Sequence, residues 1–300
     1  MKILVTGAWQ CTEEQLNNIC AMGHEVVFMQ NEKDPCPVEY EWIEGVICNG
    51  LFLHHDIKKF TNLRYIQLTS AGFDRVDVYY INAHNIALYN ARGVYSVPMA
   101  EYALCGVLQL LKSTRFFDKN QKEHLWVKNR EIVELCGKNV CIVGCGNVGT
   151  ECAKRFKAFG CNVVGVDLFP REDENYSTIY PLQKLKDVLT DAFVTVLTLP
   201  LTDESYHIIN ADVLSSLPRG SIIVNIARGG VIDTTALVDA LSNGSVGGAV
   251  LDVFEDEPLT EDSPLWDMEN VIVTPHNSFV GDGNGQRLAQ VIMANLRGNQ

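Results

Sequence analysis

One ten-residue stretch constrains the fold more than any other. Residues 140–149 read Val-Cys-Ile-Val-Gly-Cys-Gly-Asn-Val-Gly. An apolar run ending in G-x-G-x-x-G reads as a strand, a tight turn and the start of a helix. Each glycine has its own task. Gly144 permits the turn, Gly146 lets backbone approach a pyrophosphate, and Gly149 lets helix and strand pack closely. The helix start at Asn147 and Val148 then offers unbonded N–H groups and a positive dipole end to phosphate oxygens.

The surroundings support the motif. A second apolar run, Val163–Val166, ends in Asp167. An acid about twenty residues past the glycines can accept hydrogen bonds from an adenosine ribose. It also repels a 2′-phosphate, which favours NAD over NADP. Arg171, four positions on, is the group that could favour NADP instead.

Short apolar runs alternate with helical stretches along the whole chain. The first series offers strands at 3–6, 25–28, 46–48, 65–68 and 86–88. Thr12 and Gln15 make a capping box that opens a helix, with Gly23 past its end. A long helix starts near Pro98, with Ala100, Ala103, Leu104, Val107 and Leu108 at helical spacing. The polar stretch from Phe116 to Glu134 carries Trp126 and reads as an arm, a dimer contact or a surface loop. A second series offers strands at 140–143, 162–166, 193–198, 221–225, 247–251 and 271–274, and a last helix at 285–297. Repeated β-α units specify an α/β fold with parallel sheets covered by helices on both faces.

Composition excludes several function classes. Asp and Glu number 37 against 24 Lys and Arg, a net charge of −13. Such a surface repels phosphate backbones and argues against nucleic-acid binding. The longest apolar stretch, Ala103 to Leu111, is far below the ~20 residues of a membrane span. With no secretion signal at the N-terminus, the reading is a cytoplasmic protein. The ten cysteines form no Cys-x-x-Cys pair. A zinc site on Cys136, Cys141, Cys145 and Cys152 fails on ligand spacing, so no metal is expected.

Three later segments place titratable groups beside Gly or Pro at strand ends. They contain Arg228, Glu257 and His276. In open α/β sheets the ligand crevice lies outside the C-terminal strand ends, where these groups could meet beside a nicotinamide. Their chemistry suits reduction of a 2-oxo acid. Arg offers a planar fork for a carboxylate. His can give a proton to a carbonyl oxygen as hydride arrives. A carboxylate hydrogen-bonded to that His fixes its orientation and stabilises the imidazolium. Taken singly, each residue also has an ordinary reading: a surface ion pair, a solvated acidic turn, a loop histidine.

Together the motifs Gly144-Cys-Gly-Asn-Val-Gly149, Asn225-Ile-Ala-Arg228-Gly229, Asp252-Val-Phe-Glu-Asp-Glu257-Pro258 and Thr274-Pro275-His276 resemble the D-isomer-specific 2-hydroxyacid dehydrogenases. The resemblance covers nearly the whole chain. It implies two Rossmann or flavodoxin-like domains with parallel sheets and an active site in the cleft between them. The substrate domain would be discontinuous, 1–95 plus 279–300, and the NAD domain would run from 96 to 278. Arg228 is implied to bind substrate and polarise its carbonyl, Glu257 to partner the histidine, and His276 to act as general acid and base.

By the same resemblance Leu199, Pro200 and Ala227 line the cofactor, and Asp252 lies near the nicotinamide carboxamide. The loop at Ser70, Ala71 and Gly72 holds the substrate carboxylate. The chain would be a homodimer. Asn277-Ser278 departs from the small apolar residues that follow the histidine in many members. The expected reaction is hydride transfer between NAD and C2 of a small D-2-hydroxy acid or 2-oxo acid. The alternative on this fold is an NAD(H)-sensing scaffold like the related transcriptional co-repressors. Formate dehydrogenases of the superfamily place Gln where Glu257 stands. A phosphate-bearing substrate would require extra cations, for which Arg64, Arg75 and Arg92 are candidates, although surface arginine is the plainer reading of each.

Overall fold

Among the described residues, twelve strands fall into two all-parallel sheets. The structure, a computed structural model, describes residues 1–298. The first sheet contains β1 (Lys2–Thr6), β2 (Glu25–Met29), β3 (Gly45–Cys48), β4 (Tyr65–Leu68) and β5 (Ala87–Tyr89), in the order β2-β1-β3-β4-β5. The second contains β6 (Asn139–Val143), β7 (Asn162–Asp167), β8 (Ile179–Pro181), β9 (Val194–Leu197), β10 (Ser221–Asn225), β11 (Val246–Leu251) and β12 (Val271–Val273). Its order is β12-β11-β10-β9-β6-β7-β8. These are the flavodoxin-like and Rossmann orders, the latter with one added strand.

Both faces of each sheet are buried, and side-chain alternation divides the residues between them. In β10, Ile222 and Val224 enter one core while Ile223 enters the other. In β1, Ile3 and Val5 face one core and Leu4 the opposite one. Helix Ser96–Leu111 covers one face of the second sheet through Ala100, Ala103, Leu104 and Val107. Gly106 is required there, since a Cβ would lie 2.5 Å from a methyl of Val250 on β11. Helix Asn284–Gly298 packs Leu288, Ala289, Ile292 and Leu296 against Ile3, Val5 and Trp9. The C-terminal helix therefore shares a core with the first sheet.

The chain divides into two compact units, one of Met1–Tyr95 with the segment from Gly281, the other Ser96–Val280. The return segment starts two residues later than the sequence suggests. Phe279 stays with the second unit because its ring meets that of His276 edge-on, and the Val280 amide donates to Asn277. Residues 299 and 300 of the expected segment lie outside the described residues.

The capping box forms as read: the Gln15 amide donates to Thr12 Oγ1 and the Thr12 amide to Gln15 Oε1. Two elements were not legible. Strand β8 is three residues at the sheet edge and ends in Pro181, too short to show alternation. Helix Thr114–Lys122 buries only Asn120, and its two apolar side chains, Phe116 and Phe117, are adjacent, so no apolar repeat three or four residues apart announces it. Beyond it, Leu125, Trp126, Val127 and Ile132 are exposed, Trp126 by 97%. No helix among the described residues is long and apolar enough to cross a membrane.

Candidate active site

The glycine turn leaves β6 and enters helix Asn147–Ala158. Gly144 has φ +91, and a Cβ there would lie 2.6 Å from the Leu199 amide nitrogen. Leu199 follows β9, the strand beside β6, so the first glycine and the loop implied to flank the adenosine are in backbone contact. A Cβ on Gly149 would lie 2.1 Å from the Gly144 carbonyl oxygen. Gly146 faces open space, with nothing within 4 Å of a Cβ position. It is also the helix N-cap, with no side chain capping it. Two glycines are thus fixed by packing and the third holds an approach open. This suits a diphosphate held by the amides around Asn147 and Val148.

Asp167 ends β7. Its Oδ2 accepts from the Cys145 amide at 2.6 Å and its Oδ1 from Phe169 at 2.9 Å. Each oxygen keeps a further lone pair, which is what a ribose hydroxyl requires. Arg171 donates to the Cys145 carbonyl at 2.6 Å and pairs with Asp173 at 3.4 Å. Acid and arginine therefore grip the same residue of the turn. Pro200 is exposed and its carbonyl accepts from Ser205 Oγ. Ala227 is buried.

The three strand-end segments leave β10, β11 and β12, which are neighbours in the sheet. Asn225 shapes the first: its side chain accepts from the Ala227 amide and donates to the Arg228 carbonyl. Arg228 is extended, and its guanidinium donates to the Ala227 carbonyl at 2.7 Å. A Cβ on Gly229 would lie 1.8 Å from the Phe254 carbonyl carbon. The arginine segment and the acidic turn therefore touch backbone to backbone.

His276 Nδ1 meets Glu257 Oε2 at 2.9 Å, and the other Glu257 oxygen accepts from the Phe254 amide. The pair remains open, with side chains 42% and 38% exposed. If the Nδ1–H donates to Glu257, the ring presents Nε2 to a reactant. His276 has φ +51, a left-handed conformation that costs a side-chain-bearing residue about 1 kcal/mol or more.

Asp252 holds that conformation. It is fully buried. Its Oδ1 accepts from Thr274 Oγ1 and the Asn277 amide, and its Oδ2 from the Ser278 amide, all within 2.6–2.8 Å. Its carbonyl accepts from the His276 amide at 2.8 Å. Implied by resemblance to lie near a carboxamide, Asp252 here spends both oxygens on the histidine loop. Because Thr274 Oγ1 gives its proton to Asp252, the Tyr102 hydroxyl must donate to Thr274. Burial raises the Tyr102 pKa and keeps it a donor.

The loop expected to hold the substrate carboxylate lies in the first unit, after β4. Ser70 Oγ donates to the Gly72 carbonyl, Asn90 to the Ala71 carbonyl and the Ala91 amide to the Ser70 carbonyl. All three carbonyls are turned inward onto the chain. Arg64 pairs with Glu44 at 3.4 Å, and Arg75 and Arg92 are exposed.

A second His–Glu pair went unread in the sequence. His207 Nε2 meets Glu255 Oε2 at 2.8 Å, and Glu255 Oε1 accepts from the Thr234 amide at 2.9 Å. The partners are 48 residues apart, and no local pattern announces them.

Residues 104–278 match the sequence model of the D-isomer specific 2-hydroxyacid dehydrogenase, NAD binding domain. A (S)-sulfolactate dehydrogenase from Chromohalobacter salexigens is 32% identical over 243 residues, covering 80% of this chain and 79% of the relative. A glyoxylate reductase from Thermofilum pendens is 33% identical, over 78% of this chain and 71% of its own length. Among solved structures, a D-isomer specific 2-hydroxyacid dehydrogenase family protein from Aeromonas salmonicida superposes with a TM-score of 0.83. It is 30% identical and covers 99% of this chain and 94% of its own. With the glycine turn, the two parallel sheets and the His–Glu pair already in place, these matches make the chain a member of the D-isomer specific 2-hydroxyacid dehydrogenase family.

Proposed function

We propose that this chain is an NAD-dependent dehydrogenase transferring hydride between nicotinamide and C2 of a small D-2-hydroxy acid or 2-oxo acid. The observation that carries this reading is the His276–Glu257 contact at 2.9 Å, on a strand end neighbouring the one that carries Arg228. Bound nicotinamide supplies or accepts the hydride at its C4. The chain's own residues do the rest. His276, its Nδ1 held by Glu257, gives a proton from Nε2 to the oxygen at C2 during reduction and removes it during oxidation. Arg228 binds the substrate carboxylate and stabilises charge on the carbonyl oxygen. The amides of Ala71 and Gly72 bind a substrate carboxylate, their loop's carbonyls being tied elsewhere. Asp167 accepts from the ribose hydroxyls and disfavours a 2′-phosphate, which supports NAD over NADP. The exposed Leu125, Trp126, Val127 and Ile132 support a homodimer that covers them.

The test is loss of NADH absorbance with a panel of acids: glyoxylate, hydroxypyruvate, pyruvate, branched 2-oxo acids, phosphohydroxypyruvate and sulfopyruvate, repeated with NADPH. Turnover with one or more, faster with NADH, is expected. No turnover with any acid, alongside tight NADH binding, would replace this reading with an NAD(H)-sensing scaffold.

A further inference from the structure

The acidic turn after β11 carries two glutamates that each hold a histidine. Glu257 takes His276 from the segment after β12. Glu255 takes His207 from the segment after β9. Both histidines have left-handed backbone, φ +51 and +48. A non-glycine residue keeps that conformation only where its surroundings fix it.

The second pair closes a junction of three segments. The first is 206–207, where the Tyr206 and His207 rings stack with centroids 4.0 Å apart. The second is 228–231. The His207 amide donates to the Gly230 carbonyl at 2.8 Å, and a Cβ on Gly230 would touch the Tyr206 ring at 3.4 Å. The third is 254–257, packed on Gly229 so closely that only glycine fits. Glu255 bridges the outer two and adds a fourth anchor, the Thr234 amide at the start of helix Thr234–Ser242. Glu257 projects from one of the two segments this bridge ties together, and Arg228 from the segment between them.

We propose that His207 and Glu255 are a positioning pair that fixes the acidic turn, so that Glu257 faces His276. This rests on the hydride-transfer reading for its kinetic consequence, but not for its structural one. Without Glu255 the turn keeps its contact with Gly229 and loses its tie to His207 and Thr234. Glu257 then samples positions out of reach of Nδ1, and displacements near 1 Å cost ten- to a hundredfold in rate.

The structural readout is the hydrogen-bonded Nδ1–H proton of His276 in ¹⁵N-histidine-labelled protein, assigned by its loss in Glu257→Ala. In Glu255→Ala this resonance is expected to vanish or move upfield. In Glu255→Gln it is retained, because the amide can still accept from Thr234 and donate to His207. The kinetic readout follows the same order. Glu255→Ala lowers kcat about tenfold or more with the KM for NADH unchanged, and Glu255→Gln restores it. In a Glu257→Ala background, removing Glu255 costs nothing further, because no acceptor for His276 remains to be positioned. If Glu255→Ala does not fold, His207→Gln, which leaves the Thr234 bond, is expected to shift both readouts the same way. A wild-type resonance and wild-type kcat in the variant that folds overturn the proposal. So does a kcat loss that persists in full in the Glu257→Ala background. Absence of turnover in the wild type would instead remove the hydride-transfer reading and leave the resonance to decide the pair.

Discussion

The two sheets start alike. In each, the first strand sits between the second and a strand on its other side, and an acid follows the second strand. In the first sheet that acid is Glu32, beyond β2. Its carboxylate crosses to the point between β1 and β3 and accepts from Thr6 Oγ1, the Asn49 amide and the Gly50 amide, each at 2.7 Å. In the second sheet the acid is Asp167, at the end of β7. One methylene shorter, it stays on the first loop and takes the Cys145 amide. The crevice between the first strand and its far neighbour is therefore filled by the chain's own anion in one sheet. In the other it is left beside the open face of Gly146. One topology offers two places for an anion, and a single side chain determines which remains available.

The contrast can be broken most strongly at Gly149. Gly149→Ala places a methyl 2.1 Å from the Gly144 carbonyl oxygen. The turn must deform, and NADH affinity is expected to fall roughly a hundredfold, about 3 kcal/mol, by calorimetric titration. Next comes Glu32→Ala, which removes an ionised acceptor from three donors. A loss of about 3 kcal/mol in urea unfolding is expected, with NADH affinity unchanged. A change in NADH affinity would mean that the first sheet's crevice is part of the cofactor site.

Asp167→Ala should weaken NADH binding by about tenfold and narrow the preference over NADPH. The smallest effect concerns Asp173. Burial would raise its pKa, but hydrogen bonds from Asn175 and the Arg171 guanidinium outweigh it and hold the carboxyl below its ordinary 3.8. A folded-state pKa below the unfolded one gives stability that is complete above the unfolded value and fades as pH falls through the folded one. The Tm gap between wild type and Asp173→Asn should therefore be present near neutrality and close as the pH falls below the ordinary 3.8. A gap that stays constant would show that the carboxylate's charge is not what holds Arg171 to the turn.

What the sequence revealed follows from how far apart the partners lie. The glycine turn is six consecutive residues whose spacing carries its own geometry, and Asp167 follows from the length of one β-α-β unit. Arg228, Glu257 and His276 stood out because each lies just past a legible strand. The contacts that support them did not. Tyr102 reaches Thr274 across 172 residues, and His207 reaches Glu255 across 48. Glu32 reads as an ordinary surface acid until β1 and β3 are brought together. Asp252 was legible as a residue, while its work on the histidine loop was not, since that depends on amides at 277 and 278 folding back over it.

The central claim is that His276 moves the proton that accompanies hydride transfer. The direct test is to measure, on the same preparation of His276→Gln, both NADH affinity and NADH-dependent reduction of the best acid in the panel. NADH binding within about twofold of wild type and a kcat lower by a factor on the order of a thousand are expected. Wild-type turnover in this variant would contradict the claim.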